Sequence, residues 1–189
     1  SPQVTGSLFE SDALINSPSA FLLQQLEVFN WGPFEGLRSA NFDPQGTAII
    51  GATGSGKTTL IDALMTLITA QPKYNLASTG GHESDRDLVS YIRGVSGAGN
   101  DTGDNQHIAR PDKTITAIHA CFFNGQQQVH IAALFSFEGT SSTYDDLKRL
   151  WFFVEDADWS LEYWLSLYHQ GGTAAVKSAV KDINGVKLF

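Results

Sequence analysis

The chain has 189 residues, 42% of them hydrophobic, with a formal net charge of −8 and one cysteine, Cys121. That length holds one good core, and the acidic balance argues against a stand-alone nucleic-acid grip. A lone cysteine excludes an internal disulfide framework and suits a reducing cytoplasm, and no membrane-length apolar run or signal peptide is visible.

In chain order, residues 1–20 are polar, with Pro2, Pro18 and scattered Ser, and read as a flexible N-terminal arm. Residues 21–189 read as one lobe. Phe21 to Phe29 alternates as a strand. Asn30-Trp31-Gly32-Pro33 is turn chemistry, and Leu37 to Phe42 is a second strand, so an antiparallel pair leads into the apolar strand Thr47-Ala48-Ile49-Ile50. Gly51-Ala52-Thr53-Gly54-Ser55-Gly56-Lys57-Thr58 then matches G-x-x-x-x-G-K-[ST], the phosphate-binding P-loop.

The residue types suit that chemistry. Glycines let the backbone turn sharply and bring N–H groups within reach of phosphate oxygens. The helix that follows adds a partial positive charge at its N-terminus. Lys57 is placed to meet the β- and γ-phosphates, and the Thr58 hydroxyl to ligate Mg²⁺. The expected ATP-binding set is therefore Gly51, Ala52, Thr53, Gly54, Ser55, Gly56, Lys57, Thr58 and Thr59. Trp31 and Phe34 are candidates to stack on an adenine; the alternative is aromatics packed at the hairpin base.

Thr58 to Ala70 is a helix pattern apolar on nearly all sides, which predicts burial against a sheet, with Pro72 as its end. Lys73 to Glu83 reads as a mobile loop. Ser84-Asp85-Arg86-Asp87 reads as a capping box that opens a helix from about Asp85 to Arg93, stopped by Gly94. Ser96 to Asn105 has the composition of a disordered segment. Arg86, Arg93 and Arg110 around these loops are expected to be solvated, with phosphate contact as the alternative.

Asn124-Gly125 signals a hairpin over Thr114 to Phe137. A two-residue turn there pairs Phe123 with Gln126 and His119 with His130, and puts Ile118, Ala120, Phe122, Val129, Ile131, Ala133 and Phe135 on one core face. Two histidines without a nearby Cys or carboxylate make a poor zinc site and read as a structural pair. Leu150 to Val154 is a buried strand ending in Glu155-Asp156, the reverse of the Asp-then-Glu order of a Walker B strand. Trp159 to Tyr168 reads as irregular, Thr173 to Ile183 as a short amphipathic helix, and Val186 to Phe189 as the start of a strand.

Leu26 to Phe34, the strand into Gly51, the P-loop, and Leu60-Ile61-Asp62-Ala63-Leu64 together resemble the start of an SMC-type ATPase head, the broad family of SMC, RecF and SbcC proteins. Lys73 to Ala77 and Arg86 to Gly94 are similar to the MukB-like condensins, the group that includes MksB and JetC of the Wadjet plasmid-defence system. The resemblance covers residues 22–94. It implies an α/β fold of the ABC-ATPase type, a mixed sheet with an antiparallel subdomain, as the N-terminal lobe of a head split by a long coiled coil. It also implies ATP and Mg²⁺ as ligands. The implied partners are the C-terminal half of the same head, a second head engaged on ATP, a kleisin-type subunit, and DNA through the full complex, on nucleoid or plasmid DNA in a bacterial cytoplasm without a membrane. No catalytic residue is expected in this fragment. Gln106, Gln126 and Gln170 lack the context of the family's Q-loop, and no L-S-G-G signature is present. Other classes are a self-contained P-loop kinase or GTPase-like enzyme using Glu155-Asp156, and a binding module with a relic P-loop.

Overall fold

A computed structural model of the chain describes residues 20–42, 49–50, 55–70, 82–96, 106–183 and 185–189. The strands are β1 (Leu22–Trp31), β2 (Phe34–Phe42), β3 (Ile49–Ile50), β4 (Val95–Ser96), β5 (His107–Ile108), β6 (Thr114–Phe123), β7 (Gln128–Phe137), β8 (Lys148–Glu155) and β9 (Val186–Leu188). The helices are α1 (Ser55–Ala70), α2 (His82–Arg93) and α3 (Leu161–Val180), with a 3-10 turn at Tyr144–Asp146. Seven strands form one sheet in the order β3-β2-β1-β6-β7-β8-β9. Every adjacent pair in it is antiparallel. The fold is thus mixed α/β with a mainly antiparallel sheet.

The strand period of two decides which helix covers which face. Val28 on β1, Ile118, Ala120 and Phe122 on β6, and Val129, Ile131 and Phe135 on β7 share a core with Leu60, Ala63, Leu64 and Leu67 of α1 and Leu88, Val89 and Ile92 of α2. The opposite face, including Ala117, Ala132, Leu134, Phe152 and Val154, packs under Trp159 and α3 through Leu161, Trp164, Leu165, Tyr168 and Val176. Covered on both sides, β6 and β7 are buried almost end to end, which accounts for their near-continuous apolar sequence.

Several expectations are corrected. The β6–β7 connection is longer than two residues: Phe123 pairs with Gln128, His119 with Ala132 and His130 with Cys121. Asn124 folds over the turn instead of serving in a two-residue one, its side-chain oxygen accepting from the N–H of Gln126 at 2.9 Å and of Gln127 at 2.6 Å. The slip is two residues, so every side chain keeps its expected face. Helix α2 begins at His82, ahead of the expected capping box.

Trp159 to Tyr168 is mostly helical rather than irregular. Ser160 caps α3 by accepting from the Tyr163 N–H, and α3 kinks where Gly171 and Gly172 leave helical geometry. Helix α1 is buried on one side only, with Ile61 at 44% and Met65 at 38% exposure. The expectations for the arm over residues 1–19 and for most of the loops Lys73 to Glu83 and Ser96 to Asn105 lie outside the described residues; of those loops, His82 and Glu83 belong to α2 and Ser96 to β4.

Candidate functional site

Strand β3 leads, through Gly51 to Gly54 outside the described residues, to the first turn of α1 at Ser55. Lys57 and Thr58 are exposed there, and the first turn carries no acidic side chain. The unpaired N–H groups and dipole of a helix start favour an anion, so a cation in this turn is at a position unfavourable to the helix and suited to a phosphate. Exposed Lys57 and Thr58 at the start of a helix are chemically compatible with a nucleotide phosphate and its Mg²⁺. Gly56 has a steric role, since a Cβ there would lie 3.3 Å from Cζ of Phe34. Phe34, partly buried at the start of β2, therefore packs directly against the loop's end.

Trp31 takes the packing role and not a ligand-facing one. It is fully buried. An irregularity at Asn30, whose φ is +51°, shifts the β1 register and re-aims Trp31 toward α1. Its Nε1–H donates to the Thr59 carbonyl at 3.1 Å. Its ring stacks on Tyr91 of α2, with centroids 4.4 Å apart and planes 8° from parallel. The Tyr91 hydroxyl donates to Asp62 of α1. Burial, then the bond to Asp62 and its charge, push that phenol up to about 12, so it stays a donor at neutral pH. The Tyr91 carbonyl in turn accepts from the Gly32 N–H at 2.7 Å. Sequence reasoning singled out neither Tyr91 nor the role of Asp62, which are 29 positions apart.

Two of the three arginines are buried, against expectation: Arg93 is 1% exposed and Arg110 7%, while Arg86 is exposed. Neither buried arginine is free for a phosphate. Arg93 donates to the carbonyls of Arg110 (2.8 Å), Asp112 (2.5 Å), Gly139 (2.6 Å) and Ser141, and lies over the Phe137 ring. Arg110 donates to the carbonyls of Ile92 (2.8 Å), Gly32 (2.9 Å) and Tyr91 (2.9 Å), and pairs with Glu35 at 3.1 Å. Together they tie the end of α2 to the β1–β2 turn and to the loop after β7. The carbonyls that recruit them are those that helix ends and turns leave unpaired.

The two histidines form a buried chain on the α3 face. Glu27 meets His119 Nδ1 at 2.7 Å, and His119 Nε2 meets His130 Nδ1 at 2.8 Å, with Trp159 packed on His119. A carboxylate does lie beside the pair, contrary to expectation. No group of three or more residues that could hold a metal ion is present among the described residues.

Burial and the neighbouring His119 lower the His130 pKa from 6.5 to about 4. The hydrogen bond from His119 lowers that of Glu27. With His130 depressed in the fold, the unfolded chain binds the proton first as pH falls. Stability should therefore decline from pH 6.5 toward about 4, by about 3 kcal/mol when fully expressed. Glu27 adds loss in the same direction as acidification goes on. Urea midpoints measured across this window for the wild type and His130→Gln check it. A wild-type curve no steeper than the variant's contradicts it.

The acidic pair Glu155-Asp156 lies far from α1's first turn. Strand β8 is five positions from β3 in the sheet, roughly 24 Å at about 4.8 Å per strand. Asp156 adopts a φ of +54°, and Gln127 Nε2 donates to it at 3.2 Å, a turn-stabilising role.

Residues 23–81 match the family model described as the P-loop containing region of an AAA domain. That match fits a P-loop NTPase. It takes in β1 from its second residue, β2, β3, the whole of the P-loop and α1, and so the hairpin that carries Trp31 and Phe34. A domain of this kind is ATPase-like, binds nucleotide and usually Mg²⁺. No curated protein matches the chain. No helix among the described residues is long and apolar enough to cross a membrane.

Proposed function

We propose that this chain is the ATP-binding N-terminal half of a split, SMC-like ATPase head of ABC type. One observation carries the reading: among the described residues, no acidic strand lies beside the strand that leads into the P-loop. Strand β3 pairs only with β2 among the described residues. The acidic strand end at Glu155-Asp156 is five strands away.

Phosphoryl transfer to water needs a positioned nucleotide, a carboxylate-held Mg²⁺ and an oriented water. This chain offers the first through the segment from Gly51 to Thr59, with Phe34 beside Gly56 as the remaining candidate for an adenine contact. The C-terminal half of the head is proposed to supply the acidic strand and base, and a second head the signature residues across a shared ATP. In the full complex, with a kleisin-type subunit and coiled coils, the cycle would drive DNA loop extrusion, for chromosome condensation or plasmid restriction in a bacterial cytoplasm.

The 189-residue chain alone is expected to bind MgATP weakly and to hydrolyse it at background rate. Adding the C-terminal half restores turnover, which rises with head concentration. Asp156→Asn in the restored head leaves turnover nearly unchanged, since Asn also tolerates a positive φ. Turnover by the chain alone that Asp156→Asn abolishes would instead establish a self-contained kinase or GTPase-like enzyme.

A further inference from the structure

We propose that Tyr91 is a positioning residue for the nucleotide site, and that through it α2 is coupled to nucleotide binding. The inference rests on α1 being the phosphate-binding helix. Two side chains grip α1 from the same direction: Trp31 at the Thr59 carbonyl and Tyr91 at the Asp62 carboxylate. Positions three apart lie on one face of a helix, so the two bonds resist both rotation and sliding of α1. Each gripping ring is itself held. The rings stack on one another. Gly32, next to Trp31, donates its N–H to the Tyr91 carbonyl, and a Cβ on it would lie 3.0 Å from the Tyr91 ring. Arg110 bonds the carbonyls of both Gly32 and Tyr91.

The residues that would meet phosphate, Lys57 and Thr58, stand in the same first turn and are exposed. Their own position therefore depends on the grip at Thr59 and Asp62. A displacement of about 1 Å at such a group is enough to change how it meets its target. Coupling is reciprocal, so nucleotide should in turn steady the last turn of α2.

The test is a set of MgATP titrations on the chain, with amide exchange of α2 as a second readout. Tyr91→Phe keeps the stacked ring and loses the donor; it is expected to weaken MgATP about tenfold and to remove the added protection that nucleotide gives α2. Asp62→Ala should act alike, and the double variant should be no weaker than either single one. Asp62→Asn, which keeps an acceptor oxygen, should stay near wild type. If wild type binds MgATP and Tyr91→Phe binds as well with α2 still protected, or if the two losses add, the positioning role is overturned while the P-loop reading stands. If the folded wild type binds no MgATP, the P-loop reading falls first and this inference with it. Should Tyr91→Phe not fold, the comparison of Asp62→Asn with Asp62→Ala decides, and equal affinities in that pair overturn the role.

Discussion

Lys57→Ala is expected to weaken MgATP affinity about 100-fold without lowering the melting temperature. The first turn of α1 carries no acidic residue, and the Lys57 side chain is exposed. A cation at a helix N-terminus opposes the helix dipole by about 0.3–1 kcal/mol, so its removal should leave stability unchanged or slightly raised. The same cation facing β- and γ-phosphates forms charge-assisted bonds worth roughly 1.5–3 kcal/mol, and tenfold in affinity is about 1.4 kcal/mol. In a chain that binds weakly, the change will read as loss of a measurable titration. Nucleotide titration and thermal melting on the same samples check both halves. A folded variant with undiminished affinity would remove the P-loop reading. A variant that melts much lower would show Lys57 to be structural.

Much of the scaffold was legible because it rests on local periodicity. The alternation in β1, β6 and β7 and the apolar positions Leu60, Leu64 and Leu67 of α1 report their faces directly. Even the mistaken β6–β7 register kept the faces, because the error was an even number of residues. Helix α3 was legible in principle: Ser160 stands before Leu161, Trp164, Leu165 and Tyr168, an N-cap followed by apolar positions at i, i+3, i+4 and i+7. The aromatic composition, which favours strands, masked it.

What supports the candidate site was not legible, because its partners are far apart in the chain. Tyr91 and Asp62 are separated by 29 positions, Arg110 and Glu35 by 75, and Arg93 and Gly139 by 46. No window of sequence shows that a carbonyl will lack a helix or sheet partner. An arginine near a loop therefore looks solvated until the turn that needs it is in view. The stretch from Gly51 to Thr58 was the reverse case. Its chemistry is written in consecutive residues, and the family match over 23–81 takes in the same stretch.

The largest loss of stability is expected for Arg93→Met. Arg93 is 1% exposed, and its guanidinium donates to the backbone carbonyls of Arg110, Asp112, Gly139 and Ser141. Burial lowers its pKa, and the nearby Asp112 charge raises it in part; an arginine nevertheless stays charged at neutral pH. Its charge is met by those carbonyl dipoles, by the face of Phe137 at 4.4 Å and by the C-terminal end of α2, where it is the last residue. Methionine keeps much of the volume but none of the donors. Up to four carbonyls would be left without a partner, each costing about 1–3 kcal/mol unless water reaches it. A net loss of about 3–5 kcal/mol is expected, a large part of the roughly 5–15 kcal/mol that holds a domain folded. Arg93→Lys retains the charge but not the planar fork, and cannot span carbonyls on both sides; it should recover only part of the loss. Denaturant midpoints for wild type, Arg93→Lys and Arg93→Met should fall in that order. If Arg93→Met unfolds within about 0.5 kcal/mol of wild type, the range ordinary for surface positions, the carbonyl clamp contributes nothing and α2 is held by its apolar face alone.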